Sequence, residues 1–228
     1  MVEEIKPGSK SPRSYGQFCA LARALDIVGE RWTLLIVREL LPGPLRYTEL
    51  KTLLAGIATN LLAERLRALE SNGIVERRLG DTGVLYALTP WGAGLREPME
   101  ALGSWAAPLV MTGRNGDSFQ PRWLGLALPG LLRGVTATPP VELGVETDGF
   151  LMVLRVDEGG PSAIVRPGHQ PETVFTAPPE VVIGLAAGGL TIDDAVALGD
   201  LQGDRRILST VFPPGRAIAA PPQPGRTS

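Results

Sequence analysis

The sequence predicts an N-terminal winged helix-turn-helix, mainly α with a β-hairpin wing, followed by a C-terminal α+β domain. Three observations predict it. From Leu21 to Leu69 apolar residues recur at helical spacing in a succession of helices, and such spacing gathers them on one face at about 100° per residue. Two extended runs, Ile74 to Leu79 and Val84 to Leu88, then flank the turn Gly80-Asp81-Thr82-Gly83 as a hairpin. Beyond Thr112 the composition changes: lysine is absent from Phe119 onward, Pro and Gly become frequent, and short β-type runs precede further helices.

Leu21, Leu25 and Val28, then Trp32, Leu35, Ile36 and Leu40, define two helices that part at Gly29. "LPGPL" turns the chain, and "RYTELKTLL" predicts a short third helix with Tyr47, Leu50, Leu53 and Leu54 facing inward. In "GIATNLLAERLRALESNG" Leu62, Leu66 and Leu69 share one face, while Asn60, Ala63, Glu64 and Arg67 point the other way. Asn72-Gly73 supplies the C-terminal stop. Thr89 as N-cap and Pro90 at the first helical position begin a last helix, expected to run to about Met111 with a kink at Pro98. Its stripe of Trp91, Leu95, Met99, Leu102, Trp105 and Leu109 packs either into its own core or into an interface shared with a second copy.

In the second half, "FQPRWLGLALPGLL" predicts a helix interrupted near Pro129. "VELGVE", "FLMVLRVD", "SAIVRP" and "ETVFTA" predict four strands of an antiparallel sheet. A helix from Pro179 to Ala187 follows, then one capped by Thr191 with Asp194 three residues on, and a last short helix in "GDRRILSTVF". The expected boundaries are a flexible tail (1-14), a DNA-binding and dimerisation domain (15-112), a linker (113-118), the α+β domain (119-213) and a Pro-rich disordered tail (214-228).

The 228 residues are 44% hydrophobic and 20% charged, the balance of a soluble globular protein. No apolar run approaches the roughly 18 to 20 residues of a membrane span, and the polar N-terminus is neither a signal peptide nor an anchor. A cytoplasmic protein without a membrane partner is expected. The single cysteine, Cys19, excludes an intramolecular disulfide and a multi-cysteine metal cluster. Net charge is −2, with 13 Lys and Arg against 12 Asp and Glu through Thr112 and 9 against 12 beyond it. Neither half carries a large basic field, so any affinity for DNA must come from locally placed side chains.

A recognition helix enters the major groove with its N-terminal residues nearest the base edges, and the hairpin lies along the backbone. Here those residues are Thr59 and Asn60, and Asn suits bidentate bonding to adenine. Ala63 shares the outward face, Glu64 can accept from a cytosine amine, and Arg67 can reach phosphate or guanine. Arg65 holds either an intramolecular ion pair or a phosphate. Arg77 and Arg78 sit on the first wing strand, where at least one faces outward, and Arg46 heads the third helix.

"FCALARALDIVGERWTLLIVRELLPGPLRYTELKTLLAGIATNLLAERLRALESNGIVERR", with "YALTPWG" after it, resembles the HxlR-type family of bacterial winged-helix transcription regulators. The matching pieces include Asp26-x-x-Gly29-x-Arg31-Trp32, Arg46-Tyr47-x-Glu49-Leu50, Leu62-x-x-Arg65-Leu66-x-x-Leu69-Glu70 and Leu88-Thr89-Pro90-x-Gly92. The resemblance implies a homodimeric repressor on double-stranded DNA with a pseudo-palindromic operator, and it makes the Trp91 to Leu109 stripe a dimer contact. The chain departs from the pattern in two places: Ala58-Thr59 stands where the family caps its recognition helix with Ser-Pro, and the wing is short and weakly basic. The second half resembles a sterol-carrier-protein-like domain, in "FLMVLRVDEGG" and "PETVFTAPPEVVIGLAAGGLTIDDAVALGDLQGDRRILSTVF". That resemblance implies a cavity for a hydrophobic small molecule, lined by Met152, Leu154, Val174, Phe175, Val182, Ile183 and Leu185. A filled core accounts for the same seven residues.

By the first resemblance Cys19 is a redox or electrophile sensor, with Arg23 one turn away to favour its thiolate. Its other reading is a small packing residue. His169, the only histidine, reads as a surface loop residue, and "AAGGL" is too short for a phosphate loop. No nucleophile stands with a base, so no enzyme, cofactor or metal is expected. The alternative to a regulator is a lipid or small-molecule carrier whose winged helix mediates protein contacts.

Overall fold

The computed structural model describes residues 14–80, 83–110, 113–114, 116–164 and 168–215. The chain forms two compact units, Met1–Arg96 and Glu97–Ser228. The division lies inside the segment that the sequence assigns to the DNA-binding domain. The expected flexible tail lies outside the described residues up to residue 13, as do Asp81-Thr82 of the wing turn, Met111-Thr112, and the C-terminal tail from residue 216.

In the first unit α1 (Ala20–Val28), α2 (Thr33–Leu40), α3 (Tyr47–Leu53) and α4 (Thr59–Ser71) precede the hairpin β1 (Val75–Gly80) and β2 (Gly83–Leu88). The strands pair antiparallel from Val75↔Leu88 to Gly80↔Gly83. Leu45 adds a bridge to Tyr86, its N–H donating to the Tyr86 carbonyl at 3.0 Å and its carbonyl accepting at 2.8 Å. The core beneath is Ile36, Val37 and Leu40 of α2, Leu50 of α3, Leu62, Leu66 and Leu69 of α4, and Ile74 and Ala87 of the hairpin. Burying the three α4 leucines contributes about 1.5 to 3 kcal/mol each relative to exposure.

The stop of α4 is a Schellman turn. The Ile74 N–H donates to the Leu69 carbonyl at 2.9 Å and the Gly73 N–H to the Glu70 carbonyl at 3.0 Å, with Gly73 at φ +69°. Thr89 caps the next helix, its Oγ1 accepting from the Gly92 N–H at 3.0 Å and donating to the Gly73 carbonyl at 2.6 Å. That helix does not continue to Met111. It ends as α5 (Pro90–Ala93), α6 (Arg96–Ala106) follows, and a 3-10 turn covers Ala107–Leu109. The break also disposes of the expected kink: Pro98 falls in the first turn of α6, where a missing N–H leaves no helical bond unmade.

The second unit is built on a five-stranded sheet of order β5-β4-β3-β6-β7. Its strands are β3 (Val141–Thr147), β4 (Phe150–Asp157), β5 (Gly160–Ile164), β6 (Val174–Thr176) and β7 (Asp200–Gln202). The sheet is mixed, not purely antiparallel, because β6 lies parallel to β3; β7 is a strand that the sequence reading lacks. Val165 to Pro167 of the third expected run lie outside the described residues. α7 (Leu124–Leu131) continues through Pro129, against expectation. The cost of about 3 kcal/mol for an interior proline is offset by the burial of Leu124, Leu128, Leu131 and Leu132. α8 (Pro179–Ala186), α9 (Ile192–Leu198) and α10 (Arg205–Val211) complete the unit. The Thr191 hydroxyl and N–H both donate to the Asp194 carboxylate and hold its pKa below the usual range.

Gly92 fixes where α5 sits. A Cβ there would stand 2.1 Å from the Ile74 carbonyl oxygen, so Gly92→Ala is expected to cost about 2 to 3 kcal/mol. Gly103, in α6, has nothing within 4 Å of an added Cβ, and Gly103→Ala is expected to gain about 0.5 to 1 kcal/mol through helix propensity. Urea unfolding midpoints of the two variants check both signs.

Candidate nucleic-acid interface

The turn before α4 is closed by side chains of α3. Tyr47 donates to the Thr59 carbonyl at 2.7 Å, Lys51 Nζ donates to the Ile57 carbonyl at 2.7 Å, and Gly56 takes φ +93°. Glu49 caps α3 by accepting from the Arg46 N–H at 2.6 Å. These contacts present the first residues of α4 at a protruding corner. Thr59 and Asn60 are exposed there, as are Glu64 and Arg67 further along, while Ala63 is half-buried between them. The Arg67 Nε rests on the Ala63 carbonyl at 3.2 Å, leaving its guanidinium at the surface. Arg46 is exposed at the head of α3.

Arg65 takes the ion-pair alternative. Its side chain is 10% exposed, and its three nitrogens all donate within the unit: Nε to the Arg31 carbonyl at 3.3 Å, Nη1 to Glu64 at 2.9 Å and Nη2 to Glu30 at 2.9 Å. Placed with Leu62, Leu66 and Leu69 on the inward side of α4, it ties that helix to the α1–α2 turn and is no outward phosphate ligand. Glu30 is a partner the sequence reading missed. Its position in the turn gave no helical register by which to align it with α4.

On the wing, Arg77 and Arg78 are both exposed and both paired: Arg77 with Glu70 at 3.0 Å and stacked over Tyr86 at 5.7 Å, Arg78 with Glu76 at 2.6 Å. Cys19 is exposed at the N-cap of α1. The Arg23 guanidinium turns instead to Ser14 at 3.2 Å and Asp26 at 3.5 Å. The Tyr15 N–H, then the Ser14 hydroxyl and Arg23, hold the Asp26 carboxyl below its usual pKa against the opposing effect of burial.

The expected stripe divides by exposure. Trp91, Leu102, Trp105 and Leu109 are exposed, Trp105 to 74%, Leu95 is half-buried, and Met99 is buried within the chain. A second apolar face lies on α1 and the residues before it: Phe18, Leu21 and Leu25 are exposed and only Ala22 of α1 is buried. The signal was present as apolar residues covering more than half the helical wheel, more than one packing face needs. In the second unit Met152, Leu154, Phe175, Val182 and Leu185 lie in one continuous core with Ile183 packed against it. Leu185 also lines an open cleft of about 500 Å³ with Leu190, Ile192 and Phe212. Val174 alternates with the buried Phe175 along β6 and so faces the other side of the sheet.

Among the described residues no helix is long and apolar enough to cross a membrane, and no group of three or more His, Cys, Asp or Glu is placed to hold a metal ion. His169 Nε2 lies 2.9 Å from Glu142.

A helix-turn-helix corner with a two-stranded wing beside it defines the first unit as a winged helix-turn-helix. Residues 27–113 match the HxlR-like helix-turn-helix family. The HTH-type transcriptional regulator YodB of Bacillus subtilis is 40% identical over 86 residues, 36% of this chain and 77% of YodB. YtfH of Escherichia coli, an HTH-type transcriptional regulator, is 31% identical over 108 residues, 46% of this chain and 82% of YtfH. The solved reduced form of YodB matches at 35% identity and a TM-score of 0.38, over 42% of this chain and 99% of that one. The chain belongs to the HxlR-like helix-turn-helix family.

Arg65 and Arg67 are two positions apart on α4 and differ in what removal does to the fold. Arg65→Ala is expected to destabilise the first unit by about 2 kcal/mol, since the Arg31 carbonyl, Glu30 and Glu64 each lose a hydrogen-bond donor. Arg67→Ala is expected to stay within about 0.5 kcal/mol of the parent. Equal urea midpoints for the two variants would contradict this placement.

Proposed function

We propose that this transcriptional regulator is a homodimeric, sequence-specific repressor that reads a pseudo-palindromic operator in double-stranded DNA through α4. The carrying observation is the exposed polar face of α4, with Asn60, Glu64 and Arg67 in solvent at a corner closed by Tyr47 and Lys51. Asn60 is assigned to an adenine edge, Glu64 to a cytosine amine, and Arg67 to guanine or phosphate. Thr59, Ala63 and Arg46 line the same approach, and Arg77 and Arg78 exchange their carboxylate partners for phosphates of the backbone. Arg65 acts as the internal brace of the reading helix.

Exposed apolar surface supports the dimer. Phe18, Leu21 and Leu25 leave the α1 face uncovered. An apolar groove of about 230 Å³ runs beside it, lined by Ala24, Ile27, Val28, Ile74, Trp91 and Leu95. Leu102, Trp105 and Leu109 form another bare face on the second unit. Patches of this kind mark association surfaces. The second unit serves the dimer in this reading. A sterol-carrier-like role with a hydrophobic effector would need room elsewhere than among the six packed side chains.

Fluorescence anisotropy against the DNA upstream of the gene, with excess unrelated competitor, tests the reading. Asn60→Ala and Arg67→Ala are each expected to weaken specific binding by about 1 to 3 kcal/mol while leaving the competitor's affinity almost unchanged for Asn60→Ala. Unaltered operator affinity in both variants would remove the contact assignment.

Sedimentation velocity tests the association surfaces. Leu21→Glu and Trp105→Glu replace side chains that are 68% and 74% exposed, so neither should disturb a monomer's fold. A dimeric parent that becomes monomeric with Leu21→Glu alone assigns the contact to α1, and with Trp105→Glu alone to α6. A parent that is monomeric at micromolar concentration rejects the dimer.

A further inference from the structure

Behind the recognition helix lies a cleft of about 310 Å³, lined from α1, from the α1–α2 turn and from the C-terminal half of α4. It lies wholly within the first unit and on the side of α4 away from Asn60 and Arg67. We propose that this cleft binds a small organic cation with an apolar body, and that its occupancy acts on α4 through Arg65; the second clause rests on the regulator reading above.

The lining has the chemistry for such a ligand. Asp26 and Glu30 put two carboxylates on it against one guanidinium, that of Arg65. Among the described residues, and counting the flanking partners Arg23 and Glu64, three carboxylates face two guanidinium groups, a balance that favours a cation over an anion. Leu25, Ile27 and Leu69 give apolar walls, and the exposed ring of Tyr15 stands at the rim, where an aromatic face adds attraction for a cation. Thr33 also lines the cleft. It is 2% exposed, and its Oγ1 is buried without a hydrogen-bond partner among the described residues. The volume is at the lower end of the roughly 300 to 1,000 Å³ range of ligand sites, so the ligand is small, of the size of an arylamine or arylamidine.

The coupling follows from the shared carboxylate. Glu30 is the residue that holds Arg65 Nη2 at 2.9 Å, and Arg65 Nη1 holds Glu64 on the exposed side of α4. A bound cation competes with Arg65 for Glu30. The tie between α4 and the α1–α2 turn loosens, and a ligand that alters this tie must alter DNA affinity, with the reciprocal effect of DNA on the ligand.

Benzamidine is the probe, with benzoate and benzyl alcohol as anionic and neutral controls of the same body, in thermal unfolding of the full chain. Benzamidine is expected to raise the midpoint in a saturable way, and the two controls are not. Ala68→Phe, at an exposed position on α4 that lines the cleft, fills it without touching the core and should weaken apparent benzamidine affinity by about tenfold or more, 1.4 kcal/mol or above. A shift that does not saturate, equal shifts from all three probes, or a shift kept by Ala68→Phe would each overturn the site. Operator titration at saturating benzamidine then reads the coupling: a change of about threefold or more supports it, and an unchanged affinity overturns it. Should no operator preference exist without benzamidine, the regulator reading fails while the unfolding data still decide the site.

Discussion

The arrangement of the first unit depends on one buried guanidinium. A charge taken out of water is tolerated only when its donors are met, and Arg65 meets them with the Arg31 carbonyl, Glu30 and Glu64. Two of those partners sit in the α1–α2 turn. Trp32 in the same turn is held at φ +78°, a left-handed conformation rare for a bulky residue. The strain is sustained because the residues on both sides are fixed, Arg31 by Arg65 and Thr33 by burial in the core. The leucine stripe settles which face of α4 goes inward, but a stripe slides more easily than a three-point polar clamp. Arg65 therefore sets the register of α4 against α1 and α2.

Much of the first unit was legible in the sequence because local signals and tertiary packing agree there. Leu62, Leu66 and Leu69 announced the buried face, Asn72-Gly73 the Schellman stop, and Thr89-Pro90 the capped start, and each acts through residues within five positions. The long last helix failed at Gly94, where α5 ends after a single turn, in a segment held by a contact distant in sequence, the close approach of Gly92 to the Ile74 carbonyl. In the second unit the four β-type runs were visible, but β6 beside β3 requires a crossover from the far edge of the sheet, and no local pattern encodes such pairing. β7 has three residues, too few for alternation to appear.

The site was legible in part for a related reason. Outward residues on α4 follow from the same wheel that gives the inward ones, so Asn60, Glu64 and Arg67 could be named without a structure. Ion pairs across elements could not. Glu30 with Arg65 spans 35 positions, and Arg77 finds Glu70 only once β1 turns back on α4, whereas Arg78 pairs with Glu76 two residues away on the same strand. Periodicity marked the apolar residues of α1 without saying whether this chain or another covers them.

These pairings bear on the near-neutral charge of residues 1–112, which looks ill-suited to a DNA reader. Non-specific affinity is supplied almost wholly by cations against phosphate, with counterion release. Arg77 and Arg78, half-exposed and each held by a carboxylate, contribute little long-range field, so on the proposed reading the protein binds random DNA weakly. Exposed pairs of this kind are worth only about 0 to 1 kcal/mol. Exchanging them for phosphate at a docked operator therefore costs little, once Asn60 and Arg67 have met their bases and brought the wing to the backbone. Low net charge in that case lowers the background more than the specific complex, and the ratio of the two is the quantity on which regulation depends.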